Sequence, residues 1–316
     1  MASKIECFRT KVQVYDGNAE KVIYRTKLPK NPFAINPLTM QADPFLFVWN
    51  DTLYLFFEEK LLYSNGVLRM ISTKDLNHWT SPVTVLQEPF HLSFPNVFVH
   101  DETVYMIPET GGAKEVRLYK ATDETLKKFA YVITLLKHDV PTVVDYSDSD
   151  IIHNEGQYYL MTTVNYTGTN ELELYYSSSL VGPYTVHPSS PVCQSNKYGR
   201  NAGSVDRNND KLYRVAQDCS SGYGENVHLL EITSLNSESY KEQVVHENIL
   251  DRVGDEFYKE GGHQYNSVVF RGKRIIATDA KSNKSLIVQR ILTKLYFKLR
   301  KWLTSITIFI KVGKSS

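Results

Sequence analysis

Short runs of apolar residues alternate with polar turns along most of the chain. In the first example a run from Asp43 to Val48 is followed by a turn at Asn50-Asp51 and a second run from Leu53 to Glu58. Two such runs across a short polar turn predict a β-hairpin. The pattern returns four times, with turns at Asp101-Glu102, Glu155-Gly156, Asn208 to Asp210 and Arg271-Gly272.

The hairpins recur with a period of about fifty residues. If Tyr54, Tyr105, Tyr159, Tyr213 and Ile275 are equivalent, the spacings are 51, 54, 54 and 62 residues. A third strand-like run follows each hairpin, at residues 67–72, 115–119, 171–176, 226–232 and 285–291, and residues 21–25 are a candidate for the strand that closes a ring. This all-β pattern predicts a five-bladed β-propeller, with a β-sandwich as the alternative.

The last residues have a different period. Ile291, Leu295, Leu299 and Trp302 follow helical spacing, while lysines at 294, 298 and 301 share another face. The chain is therefore divided into a propeller over residues 1–290, with blade repeats starting near 43, 94, 148, 202 and 264, and a basic amphipathic C-terminal tail over residues 291–316. Residues 291–311 are typical of a helix at an anionic membrane surface; packing on the acidic body is the alternative.

Charge is distributed unevenly along the chain. Nine of the 36 cations, and no acid, follow Asp279, which leaves 27 cations against 35 acids in the preceding residues. The preceding body is therefore acidic, and an acidic body disfavours nucleic acid as a partner.

Composition narrows the class of protein further. The 42% hydrophobic and 12% aromatic content excludes disorder, collagen and coiled coil. Cys7, Cys193 and Cys219 share no metal-ligand spacing and predict no disulfide framework. The first residues carry no stretch typical of a signal peptide, and no run of about 18 apolar residues occurs. We therefore expect a cytoplasmic protein, peripheral at the inner membrane face where the tail binds lipid.

The repeat allows equivalent positions to be compared. The reference positions are the five equivalent residues that begin with Tyr54. The residues eleven positions before them are Asp43, Phe94, Asp148, Ala202 and Gln264, where the first strand of a blade is expected to line the channel. Four residues after the reference lie Glu58, Glu109, Thr163, Gln217 and Asp279. Carboxylates in a channel are costly unless they are paired, bound or used, so Asp43, Glu58, Glu109 and Asp148 are candidate catalytic residues. The alternative explanation for these acids is that the strands end in solvent, where acidic residues are common.

These motifs resemble a known family. Ala42-Asp43-Pro44-Phe45, followed by Leu53-Tyr54-Leu55-Phe56, resembles the opening blade of the family 43 glycoside hydrolases and related furanosidase propellers. Over residues 40–280 the pattern looks most like the propeller at the N-terminus of plant glucosamine inositolphosphorylceramide transferases and its bacterial stand-alone relatives. In the transferases the recognised transferase domain is a separate one. The wider pattern includes Phe90 to Asn96, Pro108-Glu109-Thr110, Gly199 to Gly203, Tyr213 to Cys219 and Gly262-His263.

The resemblance implies roles for individual residues. Family 43 enzymes invert the sugar with three acids, of which Asp43 matches the general base and Asp148 the residue that tunes the pKa and orients the substrate. The fourth repeat carries Arg200 where the family implies a glutamic acid donor, and an arginine cannot donate a proton at neutral pH. Ordinary glycoside hydrolysis would then require Glu58 or Glu109 as the acid.

Cations around the channel suit a phosphate leaving group, which needs charge stabilisation and no proton. Instead of binding a phosphate, Arg200 and Arg214 could form ion pairs with Asp206, Asp218 or another acid. His263 could instead serve to turn the last blade. We expect six residues to bind substrate, namely Asn96, Arg200, Arg214, Gln217, Asp218 and His263.

Three functions are compatible with these residues. The primary prediction is a carbohydrate-active propeller in glycan or glycolipid biosynthesis that transfers a glycosyl group at the channel with Asp43 as base. The alternatives are an intracellular inverting glycoside hydrolase of the family 43 type and a non-catalytic sugar-binding module that serves a separate glycosyltransferase. Dinucleotide, P-loop and metalloprotease motifs do not occur in the sequence, so we expect no cofactor and no bound metal.

Overall fold

A computed structural model of the chain describes residues 4–15, 20–28, 30–138, 145–250 and 256–312. Strands dominate these residues, and a helix ends them. In chain order the elements are β1 Ile5–Tyr15, β2 Glu20–Arg25, β3 Leu38–Trp49, β4 Thr52–Leu61, β5 Val67–Thr73, β6 Val83–Leu86, β7 Ser93–His100, β8 Thr103–Glu109, β9 Glu115–Ala121, β10 Phe129–Lys137, β11 Ser147–Asn154, β12 Gln157–Val164, β13 Glu171–Ser177, β14 Thr185–Val186, β15 Cys193–Gln194, β16 Asp206–Asn208, β17 Lys211–Asp218, β18 Asn226–Leu235, β19 Tyr240–His246, β20 Tyr265–Phe270, β21 Lys273–Lys284 and α1 Ile287–Val312.

The strands form antiparallel groups that follow the predicted repeats. Four groups use consecutive strands: β3 to β6, β7 to β10, β11 to β14 with β15 beside β13, and β16 to β19. The hairpin β20–β21 is completed from the N-terminus, because β1 pairs along β21 and β2 pairs along β1. One parallel pairing, between Phe8 and Met40, joins this last group to the first. The predicted hairpins are confirmed.

Neighbouring groups share their hydrophobic cores. Phe56 and Phe94 belong to one cluster, which links the first group to the second, and similar clusters link the second to the third, the third to the fourth and the fourth to the last. A further cluster joins Leu55 of the first group to Val12 and Ile275 of the last. This succession closes the groups into the ring of a β-propeller; the count of five blades agrees with it and stays a prediction.

Two sequence expectations are corrected at the ring closure. Residues 285–291, the expected third strand of the last repeat, are not a strand, because α1 begins at Ile287 and β1 already occupies the edge of β21. Residues 21–25 do join the closing group as part of β2, but at its outer edge, and β1 makes the contact with β21. The helix starts four residues before the predicted domain boundary.

Each of the five repeated hairpins turns through two residues with positive φ, the geometry whose twist matches paired strands. The pairs, with their φ angles, are Asn50 and Asp51 (45° and 53°), Asp101 and Glu102 (45° and 56°), Glu155 and Gly156 (50° and 77°), Asn209 and Asp210 (48° and 63°), and Arg271 and Gly272 (50° and 72°).

The first turns of the helix α1 contact the body. Thr293 is buried and its hydroxyl accepts a hydrogen bond of 2.7 Å from the backbone N–H of Asn36. From Lys294 to Thr304 the described side chains are exposed. Among the described residues, no helix has the combination of length and apolar content that crossing a bilayer requires.

Candidate functional site

A backbone irregularity repeats at the inner end of three groups. In β3, β7 and β11 the pairing register shifts so that two residues oppose one on the partner strand, which is a β-bulge. The first bulged residues are Asp43, Phe94 and Asp148, with φ of 50°, 47° and 50°. A non-glycine residue pays about 1–2 kcal/mol in this conformation, so the repeated strain marks a site where the side-chain direction matters.

The residue before each bulge pairs with the end of the next strand. Ala42 pairs with Glu58, and Ser93 pairs with Glu109. Both glutamates therefore lie beside the bulged residues and face the same pocket of about 190 Å³. Its polar lining brings together six predicted site residues: Asp43, Glu58, Glu109, Asp148, Arg200 and His263.

His263 lies between two buried carboxylates. Its Nε2 is 2.9 Å from Oδ1 of Asp43, and its Nδ1 is 2.7 Å from Oδ2 of Asp279. Burial disfavours the imidazolium, but Asp279 and Asp43 outweigh burial and raise the pKa of His263 well above its usual value. Burial likewise opposes the charge of Asp43, but His263 and the Phe94 N–H, 3.1 Å from Oδ2, hold the pKa of Asp43 below its usual value. The arrangement is an imidazolium with a carboxylate on each side.

The same three residues are also a candidate set of metal ligands. The donor atoms of Asp43, His263 and Asp279 lie within 4.8 Å of one another. A histidine binds a metal through a neutral ring nitrogen, whereas both nitrogens of His263 already face carboxylates at hydrogen-bond distance. With His263 protonated, as its raised pKa favours, the cluster is an ion-pair relay, and a metal would require the imidazole to lose its proton.

On the other side of the pocket, Arg200 pairs with Asp148. Its Nε donates to Oδ2 of Asp148 at 2.6 Å, and its Nη2 lies 3.8 Å from Glu109. Burial, followed by the neighbouring Asp148, raises the pKa of Glu109 to about 8. Burial also raises the pKa of Asp148, against the opposing effect of Arg200. Glu109 is thus a carboxylic acid at neutral pH, beside a carboxylate and a guanidinium.

Glu58 is the second acid of the pocket whose charged form is disfavoured. Burial, followed by the charge of Asp43, raises the pKa of Glu58 well above its usual value. Its Oε1 is 3.4 Å from Nε2 of His91, whose Nδ1 accepts a hydrogen bond of 2.9 Å from the Gly66 N–H. A Cβ at Gly66 would lie 2.6 Å from that Oε1, so only glycine fits beside the acid.

Two aromatic residues cover the charged groups. Tyr223 is 38% exposed, its ring lies 5.2 Å from that of His263, and the Arg200 guanidinium sits 5.1 Å above its face. Phe8 packs 4.4 Å from His263 on the inner side. A partly exposed aromatic ring above polar groups offers an apolar face next to hydrogen-bonding partners.

Asn96 lies outside the pocket, in a deeper polar layer. Two residues after the bulge position, its Nδ2 donates to Asp150 at 2.6 Å, and Asp150 accepts the Val205 N–H at 2.6 Å. Burial raises the pKa of Asp150 to about 6. This layer joins neighbouring groups, which accounts for the polar residue at the Asn96 position.

Three further predicted substrate-binding residues also lie away from the pocket lining. Arg214 is fully buried and donates through Nε and Nη2 to Glu242 at 2.8 and 2.7 Å. This ion pair is the alternative weighed from the sequence, with Glu242 in place of the acids named there. Asp218 accepts bonds from Ser220 and faces His228 at 3.1 Å, and Gln217 is buried behind Arg200, whose carbonyl accepts its N–H at 2.8 Å. None of the three belongs to the lining of the pocket, and their role in substrate binding stays a prediction.

Sequence reasoning did not select the pocket residues Phe8, Lys60, His91 and Tyr223, nor Asp279, which contacts His263. Asp279 occupies the position equivalent to Glu58 and Glu109, so the repeat already carried its signal. Phe8 comes from a strand that joins the ring across most of the chain, and no local pattern places it there.

The chain matches a family model over residues 27–269, described as glucosamine inositolphosphorylceramide transferase 1, N-terminal. It is 36% identical over 244 residues to glucosamine inositolphosphorylceramide transferase 1 of Oryza sativa subsp. japonica, covering 73% of this chain and 30% of the relative. It is 35% identical over 215 residues to the protein of that name from Arabidopsis thaliana, covering 65% of this chain and 27% of the relative. The chain thus spans less than a third of these relatives.

Solved structures of similar fold are glycoside hydrolases. The catalytic domain of the Coprinopsis cinerea GH62 α-L-arabinofuranosidase has a TM-score of 0.58 at 11% identity, covering 79% of this chain and 93% of that one. Zg3597, a family 117 glycoside hydrolase from Zobellia galactanivorans, has a TM-score of 0.54 at 12% identity, covering 88% and 90%. At these identities the likeness shows the fold alone, a β-propeller.

Proposed function

Because the chain belongs to the family of the N-terminal region of glucosamine inositolphosphorylceramide transferase 1, we propose that its pocket binds a sugar and transfers a glycosyl group in glycan or glycolipid biosynthesis. The family gives the class of molecule. The reaction type is argued from the two differently ionised carboxyl groups that the pocket holds.

The separation of acid and base carries this proposal. Burial and Asp148 keep Glu109 protonated to about pH 8, while His263 and the Phe94 N–H keep Asp43 charged. Two carboxyl groups driven to opposite states in one pocket are what acid–base chemistry at a sugar carbon requires, and we take the inverting course from the resemblance to family 43. Asp43 takes the proton of the incoming hydroxyl as its oxygen bonds to the sugar carbon. The bond to the leaving oxygen breaks, and that oxygen receives the proton of Glu109.

Arg200 supports a leaving oxygen that needs a proton. Its charge is directed at Asp148 from 2.6 Å, and its plane stacks on Tyr223. A guanidinium engaged in this way has less charge to offer a phosphate than an open one. We therefore assign Arg200 to holding the Asp148 carboxylate beside Glu109, in place of the phosphate contact expected from the sequence.

The pocket volume limits the substrate. About 190 Å³ is below the 300–1,000 Å³ typical of sites for larger ligands, so we propose that one terminal sugar residue enters it. The exposed ring of Tyr223 is the surface on which that sugar would rest.

The test is incubation of the purified full chain with a pool of nucleotide sugars, simple glycosides and a lipid extract, read by mass spectrometry. A sugar-sized mass gain on a lipid or glycan supports transfer. Asp43→Asn and Glu109→Gln should each lower turnover by about 10²–10⁴-fold. Asp101→Asn and Glu115→Gln, matched changes outside the pocket, should leave turnover within a small factor. Turnover like that of the wild type in Asp43→Asn or Glu109→Gln would overturn the assignment, and free sugar alone would make the protein a hydrolase.

A second candidate is a sugar-binding module without turnover. It is favoured by the engagement of Asp43, whose two oxygens already face His263 and the Phe94 N–H. Such a module predicts sugar binding that survives Asp43→Asn, with no mass change in any donor. Calorimetric titration of the same sugars into both proteins separates this candidate from the enzyme.

A further inference from the structure

A second cavity, of about 760 Å³, lies between the N-terminal strands and the start of α1. Its lining carries five cations, Arg9, Arg25, Lys27, Lys30 and Lys284. The described residues that line it include no acid. A concave surface lined by several charges of one sign is suited to a multiply charged ligand of the opposite sign.

Two of these cations are held in place by stacking. The guanidinium carbons of Arg9 and Arg25 lie 4.8 and 4.5 Å from the ring centre of Phe257. The paired strands β1 and β2 bring them to the same aromatic side chain. Lys27 and Lys30 are exposed, and both belong to the segment that follows β2. The cavity thus combines two positioned guanidiniums with exposed ammonium groups.

The helix α1 begins at the edge of this cavity, where Gln289 lines the wall. Beyond it an apolar stripe is exposed, with Ile291 at 54%, Leu295 at 57%, Leu299 at 56% and Trp302 at 61%. The cations at 290, 294, 298 and 301 follow the same helical spacing one position earlier, and no acid occurs after Asp279. An apolar stripe beside a basic one is the pattern of a helix that lies in an anionic bilayer surface.

We propose that the basic cavity binds the phosphate headgroup of an anionic bilayer lipid while the apolar stripe of α1 enters the interface. The charge of the cavity and the adjacent exposed stripe together select a lipid over a free anion, because a free anion leaves the stripe in water. This proposal stands apart from the catalytic one, since the cavity and the sugar pocket share no lining residue.

The two sites are nevertheless neighbours across one strand. Along β1, Cys7 and Arg9 face the cavity while Phe8 faces the sugar pocket, as the alternation of a strand requires. On β3, Leu38 lines the cavity and Met40 the sugar pocket, because the pairing register shifts between these two residues. A headgroup in the cavity would hold the sugar pocket close to the bilayer, where a glycolipid substrate resides.

The test is flotation of the full chain with vesicles of phosphatidylcholine, with and without phosphatidylglycerol. We expect binding only to the anionic vesicles. The double variant Lys27→Ala and Lys30→Ala should lower the partition coefficient roughly fivefold for each cation removed. The matched double variant Lys120→Ala and Lys127→Ala removes the same charge from exposed positions of another group and should bind like the wild type. Leu295→Ser with Leu299→Ser should also lose binding, with the cavity intact.

Each outcome decides the proposal. Equal binding by the cavity variant and the wild type, or no binding of the wild type to anionic vesicles, overturns it. Inorganic phosphate is the probe for a free anion: if it stabilises the wild type but not the cavity variant against thermal unfolding, and vesicles do not bind, the ligand is a soluble phosphate. Turnover of a water-soluble sugar substrate should be unchanged in the cavity variant, which separates this proposal from the catalytic one.

Discussion

The first three strand groups and the last two build opposite sides of the sugar pocket. In the first three, a left-handed bulge at Asp43, Phe94 and Asp148 opens the strand. In the other two the equivalent positions hold Ala202 and Gln264, and the described pairings of β16 and β20 record no register shift. There the functional side chains come from just before the strand, as Arg200 and His263.

The acidic and the basic side chains of the pocket come mainly from different strand groups. The bulged groups contribute the acids Asp43, Glu58, Glu109 and Asp148, and the other two contribute the cations Arg200 and His263. Lys60 of the first group and Asp279 of the last are the exceptions. Each cation then meets the acids across the channel, His263 with Asp43 and Arg200 with Asp148. Burial raises the pKa values of Glu58, Glu109 and Asp148, whereas His263 and the Phe94 N–H hold that of Asp43 below its usual value.

We expect the largest effect from the removal of His263, which links the two sides of the pocket. In His263→Ala, the buried carboxylates of Asp43 and Asp279 face each other without the cation, and we expect a loss of about 3–5 kcal/mol in the free energy of unfolding by urea. The loss should shrink toward about pH 4, where an aspartate can take up a proton. His78→Ala removes an exposed histidine paired with Asp75 and should change little. Equal effects of the two variants would contradict the buried relay.

The fold was largely predictable because the repeat is present in the chain. Each hairpin combines two apolar runs with a polar turn, so equivalent positions can be aligned along the sequence alone. The closing group could not be predicted in full, since β1 lies more than two hundred residues from β21 and pairing over that distance leaves no periodic signal. The predicted strand at 285–291 is wrong for a related reason. The distant strand β1 already fills the edge of β21, and the residues from Ile287 onward form a helix.

The pocket was predictable where a residue occupies a repeated position. Asp43, Glu58, Glu109 and Asp148 converge as their register implies. Arg214 and Asn96 show the limit of that reasoning, since a polar residue near a channel serves equally well in an ion pair within one group or in a hydrogen bond between two groups. Sequence alone does not reveal Glu242 or Asp150 as their partners, because those contacts depend on how neighbouring strands stack.

The pH dependence of stability tests whether Glu109 is protonated in the folded protein. Its pKa is raised from 4.5 to about 8, so the folded state retains a proton that the unfolded chain has lost, and stability falls as pH rises through that interval. Glu109→Gln removes this dependence. We expect the melting temperature of the variant to exceed that of the wild type by an amount that grows from pH 5 to 8 and then levels.

The control for this measurement is Glu115→Gln, at the start of the next strand. Arg117 helps to hold the pKa of Glu115 below its usual value, although burial opposes it, so its stabilising charge is lost in the variant at neutral and alkaline pH. The two variants should therefore shift stability in opposite directions at pH 8. Parallel pH curves for Glu109→Gln and the wild type would show that Glu109 ionises freely in the folded protein.

The smallest effect is expected at Glu102, in an outer turn with a left-handed backbone, and Phe94 at the inner bulge provides the comparison. Glu102, at the outer turn of the second group, has φ of 56° and is exposed, so its side chain contributes only strain. Glu102→Gly should raise the free energy of unfolding by about 0.5 kcal/mol, since glycine accepts that angle freely but loses more entropy on folding. Phe94 has the same backbone at the inner bulge but packs 4.8 Å from Phe45, so Phe94→Gly should cost about 3 kcal/mol or more. Urea unfolding of both variants compares them directly, and a loss of stability in Glu102→Gly would mean that the outer turn, like the bulge, depends on its side chain.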